Sequence, residues 1–118
     1  MKKTKFTTPY NKWDIILVPF PFTNLETTQK RPALIVSPEE YNKKSDVVIA
    51  FITSKLDVEY KTGDYVIQEW KEAHLPKPSM LRMKFATIDK SIIIKKLGRL
   101  TKKDIEHYSE LLVRFFTM

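Results

Sequence analysis

The 118-residue sequence predicts a mainly β fold, a small barrel or twisted sheet closed by one C-terminal helix. Short apolar runs rich in β-branched and aromatic residues recur at 13–20, 32–36 and 47–53, with an alternating run at 79–86. Only the stretch after Thr101 spaces its apolar residues as a long helix does. A chain of this length buries roughly two-thirds of its unfolded surface, enough for one core. No repeat, low-complexity tract or linker divides it. The expectation is therefore one domain over 13–118, preceded by a mobile basic arm over 1–12.

The first strand, 13–20, contains Ile15, Ile16, Leu17 and Val18 in a continuous run, which predicts a strand covered on both faces. Pro19 and Pro21 end regular pairing. The polar stretch 23–30 exceeds a typical hairpin loop, and long loops often carry function. The second strand, 32–36, ends at Ser37-Pro38, and 39–45 is a turn with room for one helical turn. The third strand is 47–53. An antiparallel hairpin with its turn centred on Asn42 pairs positions whose numbers sum to 84. Leu34 then faces Ala50, Val36 faces Val48, and Arg31 faces Thr53 at the open end of the hairpin. A slip of one residue would reverse the faces.

Residues 54–62 form a polar connection, Gly63 a turn, 64–67 a short strand, and 68–73 a helical turn. Leu75-Pro76-Lys77-Pro78 is a stiff extended link. In 79–86, Arg82 and Lys84 lie two apart, so they share a face of their strand. Ile92 to Leu100 supplies a last strand region. Thr101-Lys102-Lys103-Asp104 resembles a capping box with Asp in place of Glu. Ile105, Tyr108, Leu111, Leu112 and Phe115 then form one helical face that packs on the sheet.

Composition narrows the chemistry. There is no cysteine, which excludes disulfides, thiolate chemistry and Cys-based zinc sites. The two histidines, His74 and His107, sit in no metal-binding motif, and Gly63 and Gly98 are too isolated for a P-loop or GxGxxG turn. The basic start is followed by no apolar stretch, and no run reaches membrane-span length, so the expectation is a soluble cytoplasmic protein. Twenty-one Lys and Arg against 14 Asp and Glu give a net charge of +7. Such a surplus favours polyanionic partners, nucleic acid first.

Arg31 opens the greasy second strand with Lys30 before it. A permanently charged guanidinium at the mouth of a buried strand suits a phosphate, which it can grip with two donors. An enzyme built from this inventory would run on Arg, Lys, Thr, Ser and carboxylates, without cofactor or metal. RNA carries its own nucleophile, the 2′-OH. Its cleavage needs a base, an acid, in-line positioning, and cations around the pentavalent phosphorane, a need that Arg31, Arg82 and the Thr53 hydroxyl fit.

Asp14-Ile15-Ile16-Leu17-Val18-Pro19-Phe20-Pro21-Phe22-Thr23, Lys30-Arg31-Pro32-Ala33-Leu34 and Ala50-Phe51-Ile52-Thr53-Ser54 together resemble the MazF/PemK family of type II toxins. Lys77-Pro78-Ser79, Thr87-Ile88-Asp89-Lys90 and Lys96-Leu97-Gly98-Arg99-Leu100 extend the likeness from Trp13 onward. The resemblance implies an SH3-like β-barrel that forms a homodimer. It implies a metal-independent, sequence-selective endoribonuclease acting on single-stranded RNA, with 2′,3′-cyclic phosphate and 5′-OH products. It also implies a cognate acidic antitoxin.

Carried over by motif, Arg31 stabilises the phosphorane and Thr53 holds the scissile phosphate, with Lys30 and Ser54 beside them as RNA contacts. Glu26, the carboxylate of the loop before Arg31, matches the base that some members use. Arg82 matches an Arg that others use on the later strand, but Lys84 stands where their Asp would be. Arg82 and Lys84 are therefore carried as RNA-binding candidates. Trp13 replaces the family's usual glycine and offers a base-stacking surface. The competing readings are a noncatalytic poison of the CcdB-like gyrase-inhibitor type and a degenerate barrel that only binds nucleic acid.

Overall fold

The computed structural model describes residues 9–20 and 29–118. Among these, six strands form one antiparallel, curled sheet, a half-barrel, with a helix at the C-terminus. The strands are β1 (Asp14–Pro19), β2 (Lys30–Ile35), β3 (Asp46–Thr53), β4 (Tyr65–Val66), β5 (Met80–Asp89) and β6 (Lys95–Arg99). A single helical turn, α1 (Glu39–Asn42), joins β2 to β3, and α2 (Lys102–Thr117) ends the chain. Sheet order is β4-β5-β3-β2-β1-β6. The predicted barrel is thus realised as a curled sheet.

The unalternating strands are explained by two apolar layers. Ile15, Leu34, Ala50, Ile52 and Leu81 pack with Leu100 and Tyr108, and Ile105 and Leu112 of α2 close over them. The opposite face gathers Ile16, Val18, Ala33, Ile35, Val47, Ile49 and Ile88. Successive residues of β1, β2 and β3 are therefore buried on alternate sides, and each strand reads as a continuous apolar run.

The β2–β3 register is the one expected. Ala33 pairs with Phe51, Leu34 with Ala50 and Ile35 with Ile49, and the Val36 N–H donates to the Val48 carbonyl. Arg31 and Thr53 lie just beyond the last rung of this ladder. The turn is fixed by Asn42, whose side-chain amide donates to the carbonyls of Tyr10 and Ser37. Tyr10 and Asn11, expected within the mobile arm, are tied to the body by that bond and by the Asn11 N–H donating to Asp14. Residues 1–8 of the arm lie outside the described residues.

The helix begins as the sequence indicates, with Thr101 accepting from the Asp104 N–H. Asp104 does not complete the box by reaching back to Thr101. Its buried carboxylate accepts instead from the Tyr65 hydroxyl and from the N–H groups of Gln68 and Glu69, tying β4 and the following turn to α2. Gly98 is required by packing. A Cβ there would come within 2.1 Å of the Ala73 carbonyl oxygen, so the 69–75 turn lies directly on β6.

Candidate functional site

Antiparallel pairing of β2, β3 and β5 puts the start of β2, the end of β3 and the start of β5 at one end of the sheet. There, an open cleft of about 310 Å³ is lined by Lys30, Arg31, Ile52, Ser54, Lys77 and Ser79, with Gln29, Pro32 and Pro76. Its volume is near the lower end of the range for ligand pockets. Basic groups and hydroxyls line it, and none of its lining residues among those described is acidic.

Arg31 is exposed. One Nη2–H donates to the Gln29 side-chain oxygen at 3.1 Å, and the guanidinium carbon lies 5.0 Å from the centre of the Phe20 ring. Phe20 in turn meets Phe51 edge to face, with centroids 5.9 Å apart. The cation thus rests on an aromatic floor that limits its rotamers while leaving donors for a ligand. Lys30 and Lys77 have no ion-pair partner among the described residues. The acids that do pair with cations are used elsewhere. Buried Asp14 pairs with Lys96 and accepts from Arg99, and buried Asp64 pairs with Arg82. Among the described residues, no acid pairs with the cleft's cations.

The predicted residues divide. Arg31, Lys30 and Ser54 come together in the cleft. Thr53 ends β3 beside Ser54, but it is not a lining residue, and its hydroxyl accepts from the Lys55 N–H at 3.1 Å. Continued two residues, the Ala33–Phe51 pairing puts Thr53 opposite Arg31 on one face of the sheet, while Pro32 and Ile52 share the other. Glu26 lies outside the described residues. Lys84 is exposed on β5 and borders no part of the cleft.

Arg82 is not free. Its Nε and Nη2 donate to the two carboxylate oxygens of Asp64 at 3.2 and 2.9 Å, and Nη2 also reaches the Glu59 carbonyl at 3.3 Å. β5 bulges at this point. Between the Ala50–Phe85 and Ile52–Leu81 pairs, Phe51 stands opposite three residues, Arg82 to Lys84. Bulges re-aim side chains.

Trp13 takes φ of 79°, the left-handed backbone region that favours glycine. The conformation is held by its N–H donating to the Ile35 carbonyl and its carbonyl accepting from the Leu100 N–H. Its ring meets Tyr108 edge to face at 6.2 Å and packs on the α2-side core, with the Lys12 ammonium 5.0 Å from the ring centre. Trp13 is therefore a packing residue on the side of the sheet that α2 covers.

Lys77 is the cleft residue that reading by periodicity did not single out as a site residue. A lone lysine between two prolines carries no positional signal. Only the fold brings it to Arg31. Among the described residues, no group of three or more His, Asp or Glu is gathered as metal ligands, and no helix is long and apolar enough to cross a membrane.

The protein resembles toxins of known structure over most of its length. An endoribonuclease of a mycobacterial species, solved with its cognate antitoxin, superposes with a TM-score of 0.74 at 15% identity, covering 92% of this chain and 96% of that one. MazF from Deinococcus radiodurans gives 0.70 at 18% identity, covering 95% and 100%. The Mycobacterium tuberculosis toxin MazF-mt6 gives 0.70 at 19% identity, covering 89% and 97%. At these identities the likeness establishes a shared fold. A search of curated protein sequences finds no significant match. Residues 11–116 match the family described as the PemK-like, MazF-like toxin of type II toxin-antitoxin systems, and the chain belongs to that family.

Proposed function

We propose that the protein is an endoribonuclease toxin that cleaves single-stranded RNA by attack of the 2′-OH, without a metal. The observation that carries this reading is the cleft at the end of β2, β3 and β5. There, Arg31 stands with Lys30, Lys77 and Ser54, and among the described residues no carboxylate lines the cleft. A substrate with a dense negative backbone and its own nucleophile is what such a cleft can use.

In the reaction, the 2′-oxygen attacks the adjacent phosphorus and gives its proton to a base. The P–O5′ bond breaks, and the leaving oxygen takes a proton. The products are a 2′,3′-cyclic phosphate and a 5′-OH. Arg31 holds the non-bridging oxygens as charge gathers on the phosphorane, and electrostatic stabilisation of this kind is usually the largest catalytic contribution. Arg31 is a poor proton donor, because its pKa exceeds 12. Ser54 lines the cleft and donates to the same phosphate, while Thr53 supports the turn through Lys55. Glu26 serves as the base by its likeness to the family's loop carboxylate. The protein acts as a homodimer in the cytoplasm, and an acidic antitoxin neutralises it by occupying the same basic cleft.

The test is incubation of mixed-sequence single-stranded RNA with purified, antitoxin-free protein in EDTA, followed by end-group identification. Cyclic phosphate and 5′-OH ends are expected. Intact RNA after incubation with folded protein would favour a toxin that binds without cutting, and 3′-OH ends would indicate a different chemistry.

A further inference from the structure

We infer that Lys77, on the Pro76–Ser79 turn, forms a second phosphate subsite that grips a backbone phosphate next to the scissile one. This deepens the ribonuclease reading and rests on it. Three features support the assignment.

Lys77 and Arg31 enter one cleft from segments more than forty residues apart in sequence, with Ser54 from β3 also on its wall. A single phosphate bound by Arg31, Lys30 and Ser54 leaves the cation on the opposite segment for another anion. A single-stranded backbone brings a row of phosphates, so the neighbouring one is the available ligand.

The turn is rigid and pinned at both ends. Pro76 and Pro78 fix φ on either side of Lys77. The buried Ser79 hydroxyl donates to the Lys77 carbonyl at 2.8 Å, and the Ser79 carbonyl accepts from the Ile67 N–H at 2.9 Å. On the other side, Leu75 is buried and its N–H donates to the Trp70 carbonyl at 3.0 Å. A backbone held in this way costs little further ordering when a ligand arrives.

The Lys77 ammonium pairs with no acid among the described residues. The described structure neutralises the cations that serve the fold, pairing Arg82 with Asp64 and both Lys96 and Arg99 with Asp14. Lys77 has no such partner among the described residues. A cation that lines a cleft from a stiff turn and meets no acid among the described residues is placed to receive an anion from outside. A lysine serves here as a point charge and tolerates any base sequence. The subsite therefore sets affinity and strand register, while base readout lies elsewhere.

Lys77 is a substrate-positioning residue, and counterion release gives the test. Each single-strand phosphate contact adds about 0.7 to the slope of log affinity against log salt. The probe is a pool of mixed-sequence, fully 2′-O-methylated 12-nucleotide RNA, which lacks the attacking hydroxyl. Lys77→Gln is expected to lower the slope by about 0.7, weakening binding about five-fold at 0.1 M salt and hardly at all near 1 M. Lys77→Arg restores the slope, and Lys44→Gln, on the far side of the molecule, keeps it. On cleavable RNA, Lys77→Gln raises KM while kcat changes little, because the contact is made in ground and transition states alike. An unchanged slope and KM in folded Lys77→Gln protein overturns the subsite. If wild type binds the pool with the Lys77-dependent slope yet cleaves nothing, the subsite stands and the ribonuclease reading falls. If wild type binds no RNA, both fall.

Discussion

Removing the acid that holds Arg82 gives a prediction about stability and about the role of that cation. Asp64 is 2% exposed and Arg82 16%, and two hydrogen bonds join them at 2.9 and 3.2 Å. Asp64 also accepts from the Lys61 N–H at 2.7 Å, so its carboxylate closes the 61–64 turn as well. Breaking a buried ion pair from one side typically costs about 3–5 kcal/mol, because the surviving charge stays buried and unpaired. Arg82 keeps some solvent access, which moves the expectation to the low end, about 2–3 kcal/mol for Asp64→Asn or Arg82→Met. A domain of this size has only about 6–18 kcal/mol of stability in total, so the loss is readily measured. Asp64→Leu with Arg82→Met removes both charges together. The double variant is expected to lose clearly less than the sum of the two single changes, as a coupled pair requires. Urea unfolding of the four proteins of the cycle, wild type with Asp64→Leu, Arg82→Met and the double variant, provides the assay. Additive losses, or a single loss below about 0.5 kcal/mol, would refute the claim that Arg82 is held for structure.

Three further outcomes follow from the packing. Tyr108 is fully buried, and its hydroxyl finds no partner among the described residues, so Tyr108→Phe is expected to leave stability unchanged or raise it by up to about 1 kcal/mol in the same urea titration. Trp13→Gly relieves a left-handed backbone worth about 1–3 kcal/mol, but it deletes a ring packed on Tyr108, a loss of about 3–5 kcal/mol, so a net loss of about 1–3 kcal/mol is expected. Burial pushes the Tyr108 hydroxyl well above the ordinary tyrosine pKa near 10, and burial with the Asp104 carboxylate does the same for Tyr65. The folded state then keeps protons that the unfolded chain releases. This stabilising contribution is intact below pH 10 and declines as pH rises above it, and thermal midpoints measured from pH 8 to 11 should show that decline.

How much of this was legible in the sequence depends on the range of the interactions. The β2–β3 hairpin was readable to the residue, because two uninterrupted apolar runs flank a short polar turn and centring that turn on Asn42 sets the pairing. The α2 start was readable from Thr101 for a similarly local reason. That register set Arg31 opposite Thr53, and the cleft is lined by Arg31 and by Ser54, the residue after Thr53. What failed to show was set by tertiary contact. Asp64 and Arg82 are eighteen residues apart and meet through a bulge in β5 that no pattern announces. As a result, an arginine that reads as part of a basic face turns out to be neutralised. At Trp13 the sequence signalled an unusual residue, and the structure shows the same left-handed backbone that a glycine there would allow, stabilised by packing of the ring.

The proposed role of Arg31 is to stabilise the cleavage transition state on RNA with its guanidinium. The most direct measurement is the single-turnover cleavage rate at saturating single-stranded RNA in EDTA, comparing wild type with Arg31→Ala and Arg31→Lys. Loss of one such electrostatic contact typically lowers the rate by about 10²- to 10³-fold, and that loss is expected for Arg31→Ala, with partial recovery in Arg31→Lys and unchanged folding of both. An Arg31→Ala rate within a few-fold of wild type would contradict the account, and the catalytic charge would have to be sought elsewhere on the protein.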